Sequence, residues 1–145
     1  MNCGSFDPSV ETTHLSRRLS PFGGSHQDEA SEGLSVTTSA SYQNKVTLTT
    51  PGTMPAGRYI IMWNYEWNLT ALGREFQARV RVGSDDLLEH AEETLNTTSW
   101  GHIGGFAERD YPAGSITITL DWRRSGGAPI NVRIRKARLV IWRVG

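Results

Sequence analysis

Apolar and polar residues alternate strictly in two segments of the chain, and the same turn sequence, Pro-Ala-Gly, precedes both of them at residues 55–57 and 112–114. Proline presets the φ angle of a turn, and glycine accepts the backbone angles that a sharp corner needs. A period of two residues places every second side chain on the same face of a β-strand. The pattern therefore predicts two strands with one apolar face each, made of Tyr59, Ile61, Trp63, Tyr65 and Trp67 in the first and of Ile116, Ile118, Leu120 and Trp122 in the second.

Shorter alternating segments follow in the rest of the chain after residue 33. We predict further strands at 34–42, 45–50, 76–82, 103–107 and 132–142. Residues 87–91 form either a strand, which we favour, or a single helical turn. In the last of these the phase breaks at Lys136, and a β-bulge near Lys136 and Ala137 would restore it. About eight strands at regular spacing, with no convincing helix, are typical of an all-β protein, here an antiparallel β-sandwich of jelly-roll-like architecture.

The first 33 residues have no sustained period and are rich in polar and turn-forming residues. We therefore divide the chain into an extended or flexible N-terminal arm, 1–33, and a β-sandwich domain, 34–145. Two hypotheses apply to the arm: it is a disordered tail, or it becomes ordered against a partner. Under the second hypothesis, the arm residues that bind the partner are Leu15, Arg17, Arg18, Leu19 and Phe22.

The closing strand contains four consecutive apolar residues. A strand in a two-layer sandwich needs only one apolar face, so apolar residues on both faces indicate that the second face is also covered. A neighbouring subunit is the simplest cover. We therefore predict a homo-oligomer whose subunit interface includes Leu139, Val140, Ile141 and Trp142.

Composition narrows the classes of function. The 145 residues make about one domain, and 15 basic side chains balance 15 acidic ones, which argues against a nucleic-acid-binding protein. The single cysteine, Cys3, excludes an internal disulfide and a cysteine-based zinc site. No apolar signal segment is visible near Met1, and no stretch approaches the ~20 apolar residues of a membrane span. We expect a protein that is made and folded in the cytoplasm and has no membrane contact.

Residues capable of catalysis or metal binding are scattered. His90, His102 and Asp85 could supply metal ligands, but their spacing matches no ligand pattern. Glu66 and Asp121 occupy polar positions of the two repeated strands and could approach each other as glycosidase acids do, yet nothing else completes an active site. We expect no catalytic residue, no metal and no cofactor.

Arginines and aromatic residues each leave two interpretations open. Arg133 and Arg135, with Arg79 and Arg81 on another strand, form either a solvated face with cross-strand ion pairs or a docking surface for an acidic protein. The aromatic residues of the first repeated strand form either the core or a sugar-stacking platform, for which Trp67 and Trp100 are the residues to test.

Several segments resemble small β-sandwich proteins encoded among the structural genes of tailed bacteriophages. The resemblance lies in residues 42–51, 56–59, 63–67, 76–80, 88–90 and 137–144. It covers roughly residues 40–144 and leaves the arm outside. It implies a virion component that is not an enzyme.

A capsid decoration or cement protein is the leading hypothesis for such a component, bound to the major capsid protein or other virion proteins, with a trimer favoured. An arm and a compact domain suit this task, because the arm adds contact area and reach while the domain fixes the geometry. The alternatives are a tail or fibre component and a carbohydrate-binding domain for host attachment.

Overall fold

The computed structural model of the protein describes residues 26–145, and these residues form nine β-strands. The strands are β1 (His26–Ser31), β2 (Ser35–Thr37), β3 (Gln43–Thr49), β4 (Gly57–Leu69), β5 (Phe76–Val82), β6 (Asp85–Glu92), β7 (Gly101–Tyr111), β8 (Thr117–Arg124) and β9 (Val132–Arg143). Within this range the structure contains no helix that is long and apolar enough to cross a membrane.

The strands form two antiparallel sheets that pack face to face. The first sheet has the order β1-β9-β4-β7, with β2 also paired to β9, and the second has the order β3-β8-β5-β6. The predicted antiparallel β-sandwich is confirmed. Strands β4 and β8, which carry the two repeated patterns, lie in different sheets.

The core lies between the two sheets and is built from the alternating residues that the sequence singles out. All nine apolar positions of the repeated pattern are buried, and Tyr59, Ile61 and Tyr65 are fully inaccessible to solvent. Because burial of apolar surface contributes about 25 cal/mol per Å², these large side chains dominate the stability of the sandwich. The outward positions of the same strands remain polar or partly exposed.

The two Pro-Ala-Gly corners contact each other at one end of the sandwich. The amide of Gly114 donates a hydrogen bond to the carbonyl oxygen of Met54 at 2.9 Å, and the amide of Ile116 donates to the hydroxyl of Thr50 at 2.8 Å. Gly114 has a φ angle of 128°, which only glycine adopts readily. These hydrogen bonds therefore connect the two sheets at the end where both repeated strands begin.

A β-bulge interrupts β9 at the position predicted from the sequence. Arg135 lies opposite Glu66 and Arg138 lies opposite Asn64, so Lys136 and Ala137 together face a single residue of β4. Lys136 has a φ angle of 50°, the only positive value among the non-glycine residues from 26 to 145. The extra residue returns the following apolar positions to the core, and the predicted bulge is confirmed.

The N-terminal boundary of the sandwich differs from the predicted one. His26–Ser31 pairs with residues 137–142 of β9, so the part of the arm from residue 26 onward belongs to the sheet. The ammonium of Lys45 also donates to the carbonyl of Gly33 at 2.7 Å. The predicted boundary at residue 34 is wrong because β1 is a polar edge strand held by backbone pairing, which leaves no apolar period to detect.

The strand predicted at 34–42 shortens to the three residues of β2. Beyond it, hydroxyl groups bond to nearby backbone: the amide of Ser39 donates to Thr37 Oγ1, and the amide of Ser41 donates to Ser39 Oγ. Serine and threonine compete with strand pairing in this way. The alternation of this segment therefore produces a looped connection instead of a strand.

Candidate interaction surface

The outer face of the five-stranded sheet, which points away from the core, is apolar at one end. Met62 of β4 lies opposite Phe106 of β7 and Val140 of β9, and Ile60 lies opposite Trp142. Phe106 is 67% exposed and Met62 is 39% exposed, while the other three are half-buried. These five residues, called the apolar end below, form a contiguous patch across three strands.

The other end of the same face presents two ordered arginines. The guanidinium of Arg135 lies 3.8 Å from the centre of the Trp100 ring, and that of Arg133 lies 5.4 Å from it. Arg135 also donates to the Glu66 carboxylate at 2.5 Å, and Arg133 donates to the side-chain oxygen of the buried Asn68. Cation–π contact and hydrogen bonds together restrict the rotamers of both side chains. We call these five residues the arginine end.

The electrostatics of the arginine end centre on Glu66. The hydrogen bond from Arg135 holds the pKa of the Glu66 carboxyl below its usual value, and Lys136, whose ammonium lies 3.5 Å from the same carboxylate, adds to the effect. Glu66 therefore stays ionised and anchors Arg135. The cross-strand ion pair expected from the sequence is present between Arg135 and Glu66. Arg133 instead donates a hydrogen bond to the side-chain amide of Asn68.

The two pairs of arginines, for which a solvated face and a docking surface were both open, lie on different faces of the sandwich. Arg79 is on the outer face of the four-stranded sheet, where it pairs with Asp121 at 3.4 Å and lies 3.9 Å from the ring centre of Tyr42. Arg81 pairs with Asp86 at 2.7 Å. Only Arg133 and Arg135 therefore contribute to the surface described above.

The predicted subunit interface divides into two pairs of residues. Leu139 and Ile141 are wholly inaccessible, because they point into the core of their own chain. Their assignment to an interface is wrong, because the bulge at Lys136 and Ala137 places these two side chains on the inner face of the sheet. Val140 and Trp142 point outward into the apolar end, and for them the interface stays a prediction.

The predicted arm contacts, Leu15, Arg17, Arg18, Leu19 and Phe22, lie outside the described residues. Their role in partner binding stays a prediction.

The two candidate catalytic acids lie on opposite outer surfaces of the sandwich. Glu66 is on the outer face of the five-stranded sheet, and Asp121 is on that of the four-stranded sheet, where Asn44 and Arg79 contact it. The core separates them, so these two carboxylates cannot flank one glycosidic bond.

The candidate metal ligands are also dispersed. His90 Nδ1 lies 2.8 Å from the Tyr65 hydroxyl and its Nε2 lies 2.9 Å from Glu92, while Asp85 accepts from Arg109 at 2.9 Å. His102 lies on the exposed outer face of β7. Residues 26–145 contain no group of three histidine, cysteine or carboxylate side chains that could hold a metal ion.

The two tryptophans considered for sugar stacking have different surroundings. Trp67 is 3% exposed and stacks on Phe76 in the core, with 5.2 Å between ring centres, so it offers no open platform. Trp100 is half-buried, and Arg135 covers one face of its ring. Both line a cleft of about 380 Å³ beneath the loop that joins β6 to β7, together with Glu92, Glu93, Thr94, Leu95, Asn96, Ser99 and Gly101.

Sequence reasoning missed Phe106 and Met62, the two most exposed members of the apolar end. The available signal was their phase, because each large apolar residue occupies the outward position of its strand. Phe106 alternates with Gly105 and Ala107, which point inward and are small. The strand predicted at 103–107 contains Phe106, but the small inward residues on either side of it give no apolar period that would show its outward position.

No protein-family model matches the sequence, and no curated protein matches it either. Among solved structures, the chain is similar to a structure of infectious bursal disease virus, Gt strain, with a TM-score of 0.56 and 9% identity over 99% of this chain and 38% of that one. The VP2 subviral particle of the same virus gives a TM-score of 0.55 and 9% identity over 99% of this chain and 37% of that one.

A family 35 carbohydrate-binding module from an environmental isolate has a TM-score of 0.39 and 15% identity over 68% of this chain and 69% of that one. The chain spans little more than a third of the length of the viral structures it matches. At this level of identity the likeness shows a shared β-sandwich fold.

Proposed function

We propose that this chain is a non-enzymatic structural component of a virus particle, and more narrowly a capsid decoration protein of a tailed bacteriophage that binds the assembled head shell. The observation that carries the proposal is the outer face of the five-stranded sheet. A sandwich that acts alone in water keeps its outer faces polar, whereas this one has an apolar patch at one end and two fixed arginines at the other.

The two ends of this face have complementary tasks in binding a protein surface. The apolar end supplies desolvated contact area, with Phe106 and Met62 as the exposed side chains. Arg133 and Arg135 supply charge, and their contacts with Trp100 reduce the rotamer entropy that binding would otherwise remove. The partner that fits is a protein surface with a hydrophobic area beside acidic groups, and the shell protein of the particle is the proposed one.

Two further observations support a particle component. The sandwich is similar in fold to the VP2 subviral particle structure, although a shared fold does not by itself determine function. The resemblance of residues 40–144 to small proteins of phage structural gene clusters is independent of that likeness.

Co-sedimentation with purified particles that lack the protein tests the proposal. We expect saturable binding to heads, and we expect Met62→Glu to weaken it by about tenfold or more, because a charge would be desolvated in the apolar end. Thr47→Glu is the matched control, since Thr47 is exposed on the outer face of the other sheet. Equal binding of both variants would contradict the proposed surface.

Cryo-electron microscopy of the same particles locates the chain. Density on the head shell supports a decoration protein, whereas density confined to the tail or fibres would replace that assignment with a tail or fibre component. Saturable binding on a glycan array that Trp100→Ala abolishes, without binding to heads, would favour a carbohydrate-binding host-attachment domain.

The proposed function also includes binding of the N-terminal arm to the head shell. We expect deletion of residues 1–25 to weaken binding to heads while the sandwich stays folded. The comparison variant replaces only Arg17 and Arg18 by alanine, which tests whether charge in the arm matters. Unchanged binding by the truncated chain would contradict a role for the arm.

A further inference from the structure

Strand β7 is a long edge strand whose outer edge is paired with no other strand from residue 26 onward. It spans eleven residues, Gly101–Tyr111, and pairs only with β4 over its whole length. An edge of this kind presents a row of backbone N–H and C=O groups that can pair with another chain.

The other edges of the two sheets carry features that discourage such pairing. Strands β1 and β2 are short, with six and three residues. Strand β3 is bulged between Asn44 and Val46, and β6 carries Asp85, Asp86, Glu89 and Glu92 within eight residues. Short length, bulges and charge each protect a sheet edge.

Strand β7 has none of these protections at its centre. Its pairing with β4 shows no register shift, and residues 103–107 are Ile-Gly-Gly-Phe-Ala without a charge. Phe106 occupies the midpoint of the strand and is 67% exposed on the outer face.

We propose that β7 pairs antiparallel with β7 of a second copy of this chain, about a two-fold axis at Phe106, so that the five-stranded sheets become one continuous sheet. In this arrangement Phe106 faces Phe106 of the second copy. His102 then faces Asp110 of the second copy, and Gly104 faces Glu108, so no like charges lie opposite each other on the outer face.

The pairing also extends the apolar end of one copy into the apolar end of the other. Phe106, Met62 and Val140 form one cross-strand row, and the two-fold axis continues this row into the same residues of the second copy. On the inner face, the positions opposite each other are Ile103 with Arg109, Gly105 with Ala107, and Gly101 with Tyr111. This self-association replaces the interface predicted from Leu139 and Ile141, and it does not depend on the proposed function.

Sedimentation of the purified full-length chain over ~1–200 μM tests the proposal without any particle. We expect a reversible monomer–dimer equilibrium in the micromolar range, because one strand pair buries less surface than a standard interface. Phe106→Lys should weaken dimerisation by about tenfold or more by placing like charges across the axis. Leu72→Lys, at an exposed apolar residue outside β7, should leave dimerisation unchanged.

Cysteine cross-linking in a Cys3→Ser background tests the register. Phe106→Cys should form a disulfide-linked dimer on mild oxidation, because directly opposite Cβ atoms lie about 4.5–5.5 Å apart, near disulfide range. Glu108→Cys should not, since each residue 108 faces residue 104 of the other copy. Cross-linking through position 108 but not 106 would overturn the register.

Three results would overturn the proposal as a whole. A monomer at every concentration excludes the contact, and a trimer excludes a two-fold pairing of this edge. A full-length monomer that dimerises only after deletion of residues 1–25 would show that the N-terminal segment, and not a second copy, occupies the β7 edge.

Discussion

Two glycines of β7 allow the indole rings of β4 to lie across the sheet. Gly101 lies opposite Trp67 and Gly105 lies opposite Trp63 in the β4–β7 register. A Cβ atom on Gly101 would lie 2.5 Å from the Trp67 ring, and one on Gly105 would lie 3.1 Å from the Trp63 ring. These glycines are packing residues of an edge strand, in which an aromatic side chain covers the backbone that glycine leaves bare.

Alanine substitutions at the three glycines of β7 should therefore change the free energy of unfolding by different amounts. Gly101→Ala should lower the free energy of unfolding by about 1–3 kcal/mol, the usual cost of overpacking, and Gly105→Ala by less. Gly104→Ala is the internal control: its Cβ would point outward with no atom closer than 3.7 Å, so stability should be unchanged or slightly raised. Urea unfolding of the three variants measures the differences, and equal losses would contradict this account.

The ion pair of Glu66 with Arg135 makes one contribution to the pH dependence of stability. Arg135 and Lys136 lower the pKa of the Glu66 carboxyl from the usual 4.5, so the ionised form stabilises the folded state. The contribution is complete above about pH 4.5 and disappears as the pH falls through the lower folded-state pKa. Glu66→Gln should therefore lose less stability than the wild type between neutral pH and pH ~3.

Thermal unfolding as a function of pH measures this effect. Arg135→Gln should give the same flattened profile, because it removes the main cause of the lowered pKa of Glu66. The double variant should differ little from either single variant, since both changes remove one interaction. A wild-type profile in either variant would contradict the assignment.

At the scale of elements, the bulge of β9 decides which apolar residues reach the core. With Lys136 inserted, Ala137, Leu139 and Ile141 are buried, whereas Val140 and Trp142 point outward. Without the extra residue the two sets would exchange faces. Lys136 adopts a φ angle of 50°, which residues other than glycine, asparagine and aspartate rarely adopt.

The effect of a substitution at Lys136 on the free energy of unfolding should depend on how readily the new residue adopts this backbone angle. Lys136→Gly should raise the free energy of unfolding by up to about 1 kcal/mol, because glycine adopts the angle without a steric penalty. Lys136→Val should lower it by a similar amount or more, since a β-branched side chain is least tolerant there. Chemical denaturation of both variants tests the order; a valine variant more stable than the glycine variant would contradict it.

The sequence predicted these elements where one face is apolar and the period is unbroken. Strands β4, β5 and β8 follow from alternation, and the bulge follows from the break of phase at Lys136. Strand β1 could not be predicted, because its six residues are mostly polar and only its pairing with β9 orders them. The interaction surface was missed for a related reason: Phe106 stands between small inward residues, and alternation reports the buried face and not the exposed one.

At the scale of the whole molecule, β1 forms one edge of the five-stranded sheet, beside β9. It covers the edge of β9 along residues 137–142, which would otherwise be open beside the apolar end. Residues after β1 add further contacts, since the carbonyl of Glu32 accepts from the amide of Lys136 at 3.0 Å and that of Gly33 accepts from Lys45. The bulge and the buried lysine are thus both held by the segment that follows β1.

Two truncations that differ only in this segment should separate folding from partner binding. Deletion of residues 1–33 removes β1 and the carbonyls that bind Lys136 and Lys45, so it should be less stable than deletion of residues 1–25 by several kcal/mol. Chemical denaturation of the two chains measures the difference. Aggregation should also increase in the shorter chain, because β9 then becomes an exposed apolar edge strand. If both chains unfold at the same denaturant concentration, β1 is not part of the cooperative sandwich, and the domain begins after it.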